Sequence, residues 1–258
     1  MKRILIICFL LSLISPSWAD ASTLRSKHAS SGKFYLGAGA GELFVHGAND
    51  NYIGSGMGWP NDRYSVNSAS DEAYFFLSAG YTWKRPNDWL PYYSLGLRYM
   101  YVPQTTVKGT VNQYSLPTFK NYNYQYNVKL QNVLGTLQLD VYRWQNFMPY
   151  LLVGAGVANY QTSGYSEQAL SNVTPRVSPG FSNNSGNNFA YLLGLGIDYI
   201  LRENIRINLE YNYGDYGTVK TGNGANTPTL TGMNYSNASL KNKITSNTVL
   251  LGVTFYIG

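Results

Sequence analysis

From Ile205 to Gly214 apolar and polar residues alternate without a break, IRINLEYNYG. In an extended chain Ile205, Ile207, Leu209, Tyr211 and Tyr213 share one face and Arg206, Asn208, Glu210 and Asn212 the other, because successive strand side chains point to opposite sides. The same period recurs at Lys33 to Phe44, Glu72 to Trp83, Tyr92 to Tyr101, Val128 to Val141, Tyr150 to Asn159, Phe189 to Ile200 and Ser246 to Gly258. That predicts eight strands of about 10 residues. Strands of soluble sheets average about 5 or 6 residues, whereas about 9 to 11 cross a bilayer at a tilt.

The segments between them alternate in size. Lys84 to Pro91, Tyr142 to Pro149 and Leu201 to Asn204 are short; Val45 to Asp71, Val102 to Gln125, Tyr160 to Asn187 and Tyr216 to Lys241 are long and rich in Asn, Ser, Gly and Thr. Tight turns at one end and long loops at the other are the asymmetry of an outer-membrane barrel. Two further strands hidden in the long segments would make ten instead of eight.

Composition bears on which face meets what. Helix-poor residues dominate, with 24 tyrosines and 26 glycines among 258 residues, and neither type favours helix. The face carrying Arg206 and Glu210 is also the glycine face: Gly37, Gly39, Gly41, Gly80, Gly96, Gly154, Gly156, Gly194, Gly196 and Gly252. A solvated strand face has no reason to shed side chains, while the cramped interior of a small barrel does. Aromatics gather toward the short turns, at Phe34, Tyr81, Trp83, Trp89, Tyr92, Tyr142, Trp144, Phe147, Tyr150, Tyr199 and Phe255. Rings at that position form the girdle expected of a membrane interface. The expectation is an all-β protein, a transmembrane eight-stranded antiparallel up-and-down β-barrel over residues 33–258. Its polar face points inward and its aliphatic face meets lipid.

Lys2 and Arg3, the apolar run from Ile4 to Ile14 and Ser17-Trp18-Ala19 read as a secretory signal peptide cleaved after Ala19. Residues 20–32 read as a flexible polar leader. Cys8, the single cysteine, lies inside the signal, so the mature chain is expected to hold no disulfide or thiolate. Removing Lys2 and Arg3 lowers the formal charge of +6 by two, and the remaining bases are scattered. That pattern excludes nucleic acid as a partner, which needs a basic cluster.

With Phe34-Tyr35-Leu36-Gly37-Ala38-Gly39-Ala40-Gly41, Pro149-Tyr150-Leu151-Leu152-Val153-Gly154-Ala155-Gly156 and Leu250-Leu251-Gly252-Val253-Thr254-Phe255, the chain resembles the small outer-membrane β-barrels of Gram-negative bacteria, the group of the OmpA transmembrane domain and the opacity-type surface proteins. Members usually end on an aromatic residue, whereas here Tyr256-Ile257-Gly258 follow Phe255. The resemblance implies a place in the bacterial outer membrane among its lipid and lipopolysaccharide, with loops extracellular and termini periplasmic. It also implies a barrel anchor displaying mobile loops; a wall-anchoring role is not implied.

Candidate chemistry is sparse. Arg98, Asp140, Asp198, Arg206 and Glu210 share the inward face, and charges in so narrow a space should pair, as a plug or as a selectivity ring. Of the two histidines, His28 lies in the leader and His46 opens the first long loop near Glu42 and Asp50; without a histidine–serine pairing on a strand, and without thiols, neither hydrolysis nor metal binding is expected. No catalytic residue, cofactor or metal is expected. Tyr122, Tyr124 and Tyr126 in NYNYQYN, and Tyr235 in GMNYSN, are candidates for ligand contact in the loops, although the first three also alternate as a continued strand would. The functional expectation is a non-enzymatic surface protein using its loops for adhesion or ligand interaction with a host or cell-surface partner and for envelope integrity. The alternative is a narrow passive channel, and a lipid-modifying enzyme comes third.

Overall fold

The computed structural model describes residues 32–54, 58–85, 89–227 and 233–257. The expected signal peptide and, apart from Gly32, the leader lie outside the described residues. Among the described residues twelve strands follow one another: β1 (Gly32–Ala48), β2 (Asn51–Ile53), β3 (Asp62–Ala69), β4 (Glu72–Lys84), β5 (Trp89–Asn112), β6 (Lys120–Tyr142), β7 (Phe147–Ala169), β8 (Asn184–Arg202), β9 (Ile205–Lys220), β10 (Asn226–Thr227), β11 (Met233–Asn234) and β12 (Lys241–Ile257).

The fold is all-β, and every pairing is antiparallel. Hydrogen-bonded neighbours run β5, β4, β1, β12, β9, β8, β7, β6, and β6 pairs with β5 again. Each of these eight long strands therefore has a partner on both sides. The short strands add to one end: β3 pairs with the upper part of β5, and β2 pairs with β3. They prolong the wall that β1 and β4 begin.

The alternation read from the sequence is the burial pattern observed. Leu36, Leu77, Leu95, Leu97, Leu151, Leu195, Leu209 and Leu251 are exposed on the outer face. Arg206, Asn208, Glu210 and Asn212 are buried on the inner one.

The segment Val102 to Gln125, expected to be a long loop, is mostly strand. β5 and β6 have 24 and 23 residues and are joined across Gln113–Phe119 by two short 3-10 turns. At about 3.3 Å per residue such strands reach well beyond a hydrocarbon layer of about 30 Å. The segment Tyr160 to Asn187 is likewise shortened, because β7 runs on to Ala169. On β5 and β7 a bulge hides the extension. The β5–β6 register shifts between Val102 and Thr105, and β7 shifts against β6 around Gly164, whose φ is +66°. An extra residue reverses which parity faces inward, so a continuous pattern looks broken.

Candidate functional site

The interior is built in levels, and the levels follow from which inward side chains each stretch supplies. Nearest the short turns, Arg206 on β9 donates to Asp140 on β6 (3.0 Å) and Asp198 on β8 (3.2 Å). Its guanidinium lies between the rings of Tyr92 and Tyr256, 4.7 and 4.4 Å from their centroids. Gln138 donates to Asp140 as well. One step inward, Arg98 grips Glu210 through both terminal nitrogens, at 2.5 and 3.1 Å. Tyr150 and Asn212 donate to the same carboxylate, and Phe76 lies beneath the Arg98 guanidinium at 4.6 Å. All five charges expected in the interior are thus buried and paired as two separate groups.

Glycines make the room. A Cβ on Gly39 would stand 2.4 Å from the Phe76 ring, and one on Gly196 would stand 2.4 Å from the Tyr150 ring. Large rings lean across bare backbone, and they position the arginines and the glutamate.

Beyond Phe76 the interior is mostly apolar, with Asn132, Ser246 and Thr248 buried among its side chains. Leu43, Met100, Val102, Leu130, Leu134, Leu192, Ile244 and Leu250 form a continuous core with Tyr74, Tyr124, Tyr126 and Tyr216. At the far end Arg176, in the segment after β7, pairs with Asp62 of β3 and Glu167 of β7. It also donates to the Tyr64 hydroxyl at 3.0 Å and stacks on Tyr122. Burial pushes the Glu167 carboxyl above its ordinary value, although Arg176 and the Tyr165 hydroxyl pull it back. This clasp was not foreseen. Glu167 lies beyond the Gly164 bulge, and Arg176 lies in irregular chain, where no period reports on direction.

Two sequence expectations are corrected. Tyr150 does not belong to the outer aromatic girdle; it is 2 % exposed and bonds Glu210. Tyr92 likewise turns inward over Arg206. Tyr122, Tyr124, Tyr126 and Tyr235 are not open contact residues, because all four are buried. Tyr122 donates to the carbonyl of Thr174, and the Tyr126 hydroxyl meets the side chain of Asn242. They are packing residues of the prolonged interior. Trp89, Tyr142, Trp144, Tyr199 and Phe255 are exposed, and Trp83 is half-buried against Tyr93 in a 5.0 Å stack. Trp89 leans on Tyr142, and Phe147 joins Trp144 to Tyr199.

His46 is exposed, with its Nδ1 3.1 Å from the Phe44 carbonyl oxygen. Among the described residues no group of three or more His, Cys, Asp or Glu side chains could hold a metal ion.

A family model described as outer membrane protein beta-barrel domain matches residues 5–255. The chain belongs to that family. Among solved structures it is similar to the outer membrane protein OprG from Pseudomonas aeruginosa, with 19% identity over 88% of this chain and 97% of that one and a TM-score of 0.47. It is similar to Neisserial surface protein A, with 15% identity over 86% and 96% and a TM-score of 0.43. It is also similar to the outer membrane protease OmpT from Escherichia coli, with 11% identity over 92% and 100% and a TM-score of 0.44. No curated protein matches the chain. Membership of an outer-membrane barrel family agrees with exposed leucines on the outer wall and paired charges inside.

Proposed function

We propose that this chain is a closed eight-stranded transmembrane barrel that anchors a surface structure and acts without catalysis. The short turns and both strand termini face the periplasm, and the prolonged end with Arg176 faces outward. The observation that carries this reading is the filled interior. Arg206 with its two aspartates, Arg98 with Glu210, and the apolar core succeed one another along the axis. An eight-stranded interior has room for side chains and little else, so the part free to meet another molecule is the outward end. Its expected role is adhesion or ligand interaction at the cell surface. The five charges act as a structural plug, and the outer aromatics Trp83, Trp89, Tyr142, Trp144, Tyr199 and Phe255 act as the periplasmic-side girdle.

Single-channel recording on the refolded protein in a planar bilayer tests this, alongside Arg98→Ala and Arg206→Ala. A silent wild type is the expected result. Stable wild-type openings altered by those substitutions would replace the plug with a narrow channel.

A further inference from the structure

At the prolonged end, between the β2–β3 turn and the segment entering β12, the surface opens into a cleft of about 790 Å³. Small-molecule sites span about 300–1,000 Å³. Tyr52 and Trp59 stand on its wall, each more than half exposed. Trp59 is braced on one side by Tyr114, with centroids 5.8 Å apart. Asn61, Asn237 and Ser239 also line it, and their side chains hydrogen-bond to no other described residue. Gly54 leaves the Asn61 amide space, since a Cβ there would stand 2.8 Å from Asn61 Oδ1. The two walls are tied at the base: the buried Asn51 on β2 accepts the backbone N–H of Lys241 on β12 at 2.8 Å. The cleft is therefore a built feature of the wall and not a gap between independent loops.

We propose that this cleft binds an oligosaccharide. A sugar ring presents an apolar C–H face and a rim of hydroxyls. Exposed indole and phenol rings offer flat apolar surface at small cost in side-chain freedom. Each of these amides offers two donors and two lone pairs to the hydroxyls. An apolar ligand would leave those amides desolvated and unpaired. A nucleic acid would need more cations than the single Lys241 of this lining. The proposal rests on the surface-protein reading and names its ligand class.

The test is titration of the refolded full-length protein in detergent micelles with chitotriose, lactose and sialyllactose, followed by tryptophan emission. At least one should give a saturable change. Trp59→Ala should weaken it by at least about tenfold. Asn237→Trp should do the same by filling the cleft while leaving Trp59 in place, and Trp144→Phe at the opposite end should leave affinity unchanged. No saturable change with any of the three sugars, or wild-type affinity in Trp59→Ala and Asn237→Trp together, overturns the proposal. Adherence of bacteria making the protein to mammalian cells separates the two readings. Adherence that saturating sugar does not compete points to a protein partner, so the cleft proposal fails while the surface reading stands. Absent adherence together with an open channel removes both.

Discussion

Arg98 and Glu210 show how much a single inward residue carries. Both are almost wholly buried, and removing one partner leaves a charge with no water to turn to. Glu210→Ala is therefore expected to cost about 3–5 kcal/mol, and Arg98→Met with Glu210→Leu should recover most of that because the pair is replaced and not broken. Urea unfolding in lipid vesicles would measure both. Glu167 offers a pH test at the outward end. Its folded value lies above 4.5, so folding favours its protonated form. That contribution is complete below the unfolded value and is lost as pH rises through the raised folded one. Protease resistance of the outward end should fall over that window, and Glu167→Gln should flatten the fall. A wild type with the opposite slope would contradict the assignment.

Strands set which residues meet. Where a strand runs unbroken, parity is enough: Arg98, Asp140, Asp198, Arg206 and Glu210 share the inward parity of their strands, and all five are buried. The same parity holds the answer for four corrected residues. Carrying the inward parity of Asp140 up β6 reaches Tyr126, Tyr124 and Tyr122, and that of Gly154 down β7 reaches Tyr150. Asp62, Glu167 and Arg176 were not legible, because bulges and irregular chain separate them from any continuous period. Strand contact also dictates the cost of added bulk. A Cβ on Gly156 would stand 2.1 Å from the Val133 carbonyl oxygen, whereas on Gly135 its nearest neighbour is 3.7 Å away. Gly156→Val should abolish the compact form that resists unfolding in cold detergent, and Gly135→Ala should keep it; equal band shifts on a gel would refute the distinction.

At the scale of the molecule, the outer wall is a solvent preference written in leucine, isoleucine, valine and aromatics. Leu195 is 58 % exposed and flanked by Leu193 and Ile197 on the same strand face. In a bilayer an arginine near the midplane of such a wall costs about 2–4 kcal/mol. Leu195→Arg should lower unfolding stability in vesicles by that order. A neutral effect would mean that this face does not meet hydrocarbon.

The pairing of β1 with β12, from Phe34 opposite Ile257 to Ala48 opposite Lys243, makes one seam of the wall out of the two extremes of the described chain. Neither strand can satisfy its outer row of N–H and C=O groups until the other arrives, and unpaired rows are costly in a bilayer. In the closed barrel proposed above, closure is expected to be a late, long-range event in folding, of the kind that slows a chain and exposes its edges while it waits. Until its two margins zip together, such a chain would be an open, adhesive sheet in need of shelter.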